Sequence, residues 1–175
     1  MAEADLSARL DRTGPSLRAI KAHELFEEVR AHLFKAQNAD RLVTPVQIIR
    51  EEVKWVRAPK EAPKDAKGIA GGIKDSHRHQ ESARLIRPDG WWFHFTITVN
   101  ETPDGLDVMA YNFELVMPDV VPGFIRFDLN LPDHRNVRRD LRSHLHPGHD
   151  DILVPAPILD PIEALNLMIS LAPMR

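Results

Sequence analysis

The sequence contains no cysteine, so the chain can form neither a disulfide bond nor a thiolate metal site, and it has no cysteine nucleophile. It also has no apolar run near the roughly 20 residues that are needed to cross a bilayer. Its first residues are rich in Ala, Glu, Asp and Arg and lack the apolar centre of a signal peptide. We therefore expect a soluble cytoplasmic protein that does not associate with membranes.

An excess of positive charge is also missing. The chain has 23 Lys and Arg residues against 26 Asp and Glu residues, a formal net charge of −3. This balance excludes binding of nucleic acid through a broad positive field and leaves only a local basic patch for that purpose. With 175 residues, 43% of them hydrophobic, the chain is long enough for one domain, residues 1–175, with a substantial core.

Helical patterns dominate the first third of the chain. Apolar residues recur at intervals of three and four between residues 16 and 37, which predicts an amphipathic helix there. Thr44–Gln47 has the form of a capping box with proline at the first helical position, which predicts a second helix ending at about residue 56. Residues 1–57 are therefore predicted to form a helical part.

The composition then changes twice. Residues 58–79 are rich in Lys, Pro, Ala, Gly and Asp and show no apolar periodicity, which indicates a flexible loop. From residue 80 onward, apolar and polar residues alternate, which is typical of half-buried strands. The predicted strands are residues 82–87, 91–99, 106–117 and 124–130, with a short edge strand at 152–155.

A second capping box, Asp160–Glu163, begins a last helix that is predicted to end at about residue 171. Residues 80–175 thus combine a sheet, a histidine-rich loop at 131–151 and a closing helix. The sequence predicts an α+β fold with N-terminal helices, an antiparallel β-meander of three to five strands and a C-terminal helix. The helices are expected to cover the apolar face of the sheet and to leave its polar face open.

The histidine-rich loop concentrates groups that titrate near neutral pH. Residues 142–151 contain three histidines, His144, His146 and His149, followed by Asp150 and Asp151. On an extended segment, His144 and His146 project to the same side, which suits a catalytic or phosphate-binding site or a metal site. A purely structural role, with the imidazoles bound to the backbone, is the third possibility.

The polar face of the sheet supplies further candidates. By alternation, His94, Glu114, Arg126 and Asp128 all point to that face, although the sequence does not fix the strand register. A base, an acid and an arginine are the components of a metal-independent site for phosphodiester cleavage, and the alternative is a set of cross-strand ion pairs. The candidate catalytic residues are His144, His146, Arg126, Arg142, Glu114 and His94. Of these, His144 and His146 are expected to act as acid and base, and Arg126 and Arg142 to hold the phosphate.

A metal site in the histidine-rich loop would need His149 or the neighbouring aspartates beside His144 and His146. The segment is similar to the first-ligand run of metallo-β-lactamase-like hydrolases, but the spacing of its residues differs. Residues 147–148 form a Pro-Gly turn that is predicted to direct His149 outward. We therefore expect no metal and no other cofactor.

The order of these motifs resembles the TumE-type toxins of bacterial toxin–antitoxin systems. The resemblance covers about residues 80–171 and lies in the run Phe124–Asp128, in His134, in the Ser-His-Leu-His run at 143–146, in the aspartates at 150–151 and in the final helix. It implies a cytoplasmic, RNA-directed ribonuclease activity that a partner antitoxin neutralises. The alternative is a non-enzymatic, protein-binding accessory module of a defence or toxin–antitoxin system.

Overall fold

The computed structural model describes residues 16–18, 21–72, 83–132 and 141–171. His134, the end of the predicted flexible loop and the start of the first predicted strand lie outside these residues. None of the described helices is both long and apolar enough to span a bilayer.

The described residues form an α+β fold, as the sequence predicts, with more strands than the three to five expected. Nine strands form one antiparallel sheet in the order β2-β3-β5-β6-β7-β8-β9, with β1 beside β6 and β4 beside β5. The helices are α1 (Ala22–Asn38), α2 (Val46–Glu52) and α3 (Pro161–Ser170). The strands are β1 (Ser16–Arg18), β2 (Lys54–Arg57), β3 (Lys67–Gly71), β4 (Leu85–Ile86), β5 (Trp92–Thr102), β6 (Gly105–Val116), β7 (Phe124–Leu129), β8 (Ser143–Pro147) and β9 (Val154–Pro155).

The apolar face of the sheet carries the core, and α1 and α3 cover it. Leu25, Val29 and Leu33 of α1 are fully buried and belong to one cluster with the inward side chains of β5 and β6. Phe95 stacks on Phe113 from the neighbouring strand, with ring centroids 5.4 Å apart. The alternation in the sequence therefore identified the apolar face correctly, and burial of this face is the main stabilising contribution to the fold.

The first predicted helix begins later than the sequence pattern indicates. Residues 16–18 form β1, which pairs with β6, and α1 starts at Ala22. The backbone N–H of Ala22 donates to the carboxylate of Glu101 at the end of β5, 3.0 Å away. Contact with the sheet thus fixes the start of the helix, which the helical spacing alone does not reveal.

The second helix is shorter than predicted, because the last part of the predicted helix forms a strand. It ends at Glu52, and residues 54–57 form β2. The hydroxyl of Thr44 does not cap this helix, because it donates to the carbonyl of Arg84 and accepts from the N–H of Ile86. The capping-box prediction was wrong because a tertiary contact with β4 uses the side chain.

The predicted flexible loop at residues 58–79 contains a strand. β3 lies between β2 and β5 and pairs with both. Its glycines made the segment resemble a loop, but they are required by packing. A Cβ atom on Gly68 would lie 2.8 Å from Val56, and one on Gly71 would lie 2.4 Å from the ring of Phe95.

Glu101 provides a pH-dependent link between β5, β3 and α1. The ammonium of Lys67 donates to Glu101 at 3.0 Å and, together with the N–H of Ala22, lowers the pKa of this carboxyl from its ordinary value. A lowered folded-state pKa stabilises the protein above the unfolded pKa of about 4.3, and the stabilisation is lost as the pH falls through the folded value. We expect Glu101→Gln to be less stable than the wild type at pH 7 and to differ less at pH 3. Urea denaturation at both pH values measures this.

The control for the loss of one carboxylate is Glu61→Gln, in an exposed turn. A Glu101→Gln protein that is destabilised equally at both pH values would contradict the proposed link.

Candidate functional site

Two rows of polar side chains run across four strands of the sheet. The segment predicted as a histidine-rich loop is, at residues 143–147, strand β8, which pairs with β7. The pairing register shows which polar side chains of neighbouring strands lie side by side, which the sequence did not determine. One row consists of His94, Glu114, Arg126 and His146, and the other of Thr96, Asn112, Asp128 and His144. We call His94, Glu114, Arg126, Asp128, His144 and His146 the polar cluster.

Arg126 lies at the centre of the cluster and contacts three carboxylates. Its Nε donates to Asp128 Oδ2 at 2.9 Å and its Nη1 to Asp150 Oδ1 at 2.7 Å, while Glu114 Oε2 lies 3.5 Å from Nη1. Burial opposes the charged form, but the neighbouring carboxylates outweigh it, and the pKa of Arg126 is raised. Its guanidinium therefore remains charged.

Asp128 links this arginine to the two histidines of β8. Its Oδ1 accepts from the side-chain amide of Asn112 and its Oδ2 from Arg126. The Nε2 atoms of His146 and His144 lie 3.1 Å and 3.7 Å from Oδ2. The sequence placed Asp128 on the polar face, but alternation alone did not mark it as a candidate catalytic residue. Its position two residues after Arg126 on a strand was the signal that could have identified it.

His144 is 96% buried by side-chain area, and its Nδ1 faces the carbonyl of Leu141 at 3.2 Å. Because a carbonyl only accepts, Nδ1 carries the proton, and in the neutral ring Nε2 presents a lone pair toward Asp128. Burial lowers the pKa of His144, although Asp128 acts in the opposite direction. His144 is thus held in one tautomer and orientation.

His146 is buried beside His144, and the two rings meet edge to face with centroids 4.8 Å apart. Its Nε2 faces Asp128, whereas its Nδ1 has no hydrogen-bond partner among the described residues. A buried polar atom without a partner is unusual in a folded protein and calls for an explanation at the site itself.

The remaining predicted site residues lie in two places. His94 is buried, and its Nε2 is 3.4 Å from Glu114 Oε1, so both belong to the cluster. Arg142 instead donates to the backbone carbonyls of Asn130 and Met109. These bonds fix the guanidinium of Arg142 to the backbone, and its predicted convergence with Arg126 on one phosphate stays a prediction.

The turn after β8 directs His149 away from the cluster, as the Pro-Gly sequence indicated. Its side chain is 61% exposed, and its Nδ1 lies 3.8 Å from Asp151. Asp150, in contrast, turns back and contacts Arg126. The third group beside His144 and His146 is therefore Asp128, from the adjacent strand, and not His149.

A groove of about 500 Å³ opens on the polar face beside the cluster. Thr96, Asn112 and Arg126 line it together with Asp128, Asp150 and Pro59. The polar face is therefore less open than expected, since His94, His144 and His146 are buried. Arg126 and Asp128 border the groove, and the two imidazoles of β8 lie on the next strand beyond them.

Three carboxylates lie against the guanidinium of Arg126. They belong to Glu114, Asp128 and Asp150. Grouped like charges in a partly buried site favour positive charge nearby, either as protons or as a cation.

Comparison with protein-family models, with curated proteins and with solved structures finds no match to this chain. The resemblance to TumE-type toxins therefore stays a prediction from the sequence. Any proposal for the function of this chain rests on the geometry of the polar cluster.

Proposed function

We propose that the polar cluster is the active site of a toxin-like ribonuclease, which cleaves RNA by acid–base chemistry and is neutralised by a partner antitoxin. One observation carries the proposal. Asp128 borders the groove, is held by Arg126 and Asn112, and lies within 3.7 Å of an Nε2 atom of both His144 and His146. A fixed carboxylate that orients two imidazoles beside a groove is a common arrangement for proton transfer.

The proposed substrate displaces Asp150 from Arg126. Asp150 is 74% exposed, and its carboxylate oxygen occupies a position on Nη1 that a phosphate oxygen can take. A phosphodiester carries one negative charge, so it takes the place of one carboxylate on Arg126 without changing the charge of the cluster. Because His146 is paired with Arg126 across the strands, the phosphate then lies next to this imidazole. In the proposed mechanism His146 carries a proton and faces this phosphate.

The chemistry is the transfer of phosphorus from one ribose oxygen to another. His144, with its Nε2 lone pair, accepts the proton of the 2′-hydroxyl, and the 2′-oxygen attacks phosphorus. The bond between phosphorus and the 5′-oxygen breaks, and protonated His146 donates its proton to that oxygen. Arg126 stabilises the charge on the phosphorane. The products are a 2′,3′-cyclic phosphate and a 5′-hydroxyl end.

Expression in a bacterial host tests the proposal. We expect the wild-type protein to stop growth and fragment total RNA, and His146→Ala to relieve both effects by removing an acid–base group worth about 10²–10⁴-fold in rate. His149→Ala is the matched control, because His149 is exposed and lies outside the cluster. Thermal unfolding of the purified variants verifies that they are folded.

Equal toxicity of the wild type and a folded His146→Ala variant would contradict the assignment of His146. Harmless expression, with no cleavage of RNA by purified protein, would contradict the ribonuclease itself and favour the alternative function, a protein-binding module.

One structural feature supports the alternative function, a protein-binding module. All four residues of β2 are exposed, and this strand is an edge of the described sheet. An exposed edge strand presents unpaired backbone groups to which a partner can add a strand. Trp55, which is 43% exposed and stacks on Phe26, adds an apolar contact surface at this edge.

A further inference from the structure

Asp128, His144 and His146 lie close enough together to act as metal ligands. One potential ligand atom from each residue lies within 4.8 Å of the other two. Two ligands on a tetrahedral zinc ion, each about 2.0–2.2 Å from the metal, are roughly 3.3–3.6 Å apart. The distances from Asp128 Oδ2 to the Nε2 atoms, 3.1 Å to His146 and 3.7 Å to His144, lie around this value.

The orientation of His144 is the one that a metal-binding histidine adopts. Ligating histidines usually donate their other ring N–H to a backbone carbonyl or a carboxylate, which fixes the tautomer and aims the lone pair at the metal. Nδ1 of His144 makes this bond to the carbonyl of Leu141. The Nε2 lone pair then faces the carboxylate of Asp128 at 3.7 Å, and two facing acceptors favour a proton or a cation between them.

His146 is buried to nearly the same degree as His144. Its side chain is 94% buried, and its Nδ1 has no hydrogen-bond partner among the described residues. Whichever nitrogen carries the proton, a neutral His146 leaves a buried polar atom unpaired when the cluster is empty of a ligand. The ligand atom that His146 offers is Nε2, which faces Asp128 at 3.1 Å, and a metal on Nε2 places the ring proton on Nδ1.

The charge of the site and its access agree with a cation. The carboxylates of Glu114, Asp128 and Asp150 lie close together around Arg126, which favours a cation nearby. Two imidazoles and a carboxylate form a ligand set that catalytic zinc and non-haem iron sites use, and it leaves coordination positions open. Asp128 borders the groove, so water or another small ligand can reach these positions.

We infer that Asp128, His144 and His146 bind one divalent transition-metal ion, of which zinc is the representative. The sequence led us to expect no metal because His149 was predicted to point outward; His149 does so, but Asp128 supplies the third ligand. The inference goes beyond the proposed function, and only its effect on cleavage rests on that function. A bound ion occupies the nitrogens that acid–base chemistry needs, so it stops metal-independent cleavage.

Isothermal titration of zinc into chelator-treated, dialysed protein tests the site. We expect one ion per chain and a rise in melting temperature, because an ion that binds only the folded state stabilises it. Asp128→Asn and His144→Gln are expected to weaken binding by about a hundredfold or more, since even outer-shell changes cost 10–100-fold. The double variant His149→Ala with Asp151→Asn is the matched control, because it removes an exposed histidine–carboxylate pair and leaves the three ligands in place.

A measurement on the wild-type protein covers the case in which a ligand variant does not fold. Two-dimensional ¹H–¹⁵N spectra of the imidazoles are expected to show zinc-dependent changes at His144 and His146 and none at His149. Absence of saturable binding, unchanged binding by folded Asp128→Asn, or loss of binding in the His149 control would overturn the metal site.

The two proposals fail in different ways. If zinc does not bind but chelator-treated protein cleaves RNA, the metal site is wrong and the acid–base function stands. If zinc binds and cleavage requires it, the metal site stands and the metal-independent assignment is overturned. Binding of zinc that inhibits cleavage supports both.

Discussion

If the proposed ribonuclease function holds, replacement of Asp128 by asparagine is expected to lower the rate of RNA cleavage by about 10²–10⁴-fold while the protein stays folded. Asparagine has nearly the same shape, so the packing of β7 is preserved. It lacks the negative charge that faces His144 and His146, and its amide cannot accept equally well from Arg126 and Asn112. The imidazoles then lose the group that orients them.

Steady-state kinetics on a short RNA substrate, with chelator present, measure this effect. A fall in kcat much larger than the rise in KM is expected if Asp128 acts on the chemical step. Asp151→Asn is the control, since Asp151 is an aspartate in the same region that lies outside the cluster and is 92% exposed. Activity of a folded Asp128→Asn protein within a factor of two of the wild type would remove Asp128 from the mechanism.

Replacement of Gly148 by alanine is expected to destabilise the protein by about 2–5 kcal/mol, from a left-handed backbone and a steric clash. Gly148 has a φ angle of 78°. A Cβ atom there would lie 1.9 Å from Cβ and 2.7 Å from the carbonyl oxygen of Pro122. The two turns must separate to accommodate it, and Asp150, two residues later, shifts relative to Arg126.

The variant Gly90→Ala separates the cost of the left-handed backbone from the cost of the steric clash. Gly90 has a similar φ angle of 83°, but a Cβ atom there meets no heavy atom within 4 Å. Its replacement is therefore expected to cost only the backbone contribution of about 1–2 kcal/mol. Urea denaturation of both variants measures the difference, and equal destabilisation would show that the contact with Pro122 is not rigid.

The sequence predicted the sheet well where alternation is long. Sustained alternation predicted the faces of β5, of β7 and of β6 from Tyr111 onward. It was wrong at Met109, which was expected on the apolar face, because a β-bulge beside Thr98 and Val99 buries Leu106 and Val108 instead. β3 and β8 were missed for physical reasons: glycines required by Val56 and Phe95 resemble a loop in β3, and the histidines of β8 are buried polar residues. In both strands, tertiary contacts determine the structure more than the local pattern does.

The candidate site was predictable in its composition but not in its geometry. His94, Glu114 and Arg126 were correctly placed on the polar face, yet only the pairing register shows that they adjoin His146. The sequence could not show that Arg142 donates to the carbonyls of Asn130 and Met109. These bonds depend on how β6, the end of β7 and the start of β8 lie beside one another. Register and backbone contacts of this kind are properties of the folded sheet.

The helical layer over the apolar face affects how the chain folds during its synthesis on the ribosome. This layer combines α1 with α3, and His32 bonds to Asn166, 134 residues further along the chain. During translation the strands emerge while α3 is still unsynthesised, so part of their apolar face has no cover. Apolar surface that is uncovered in this way during folding is prone to aggregation.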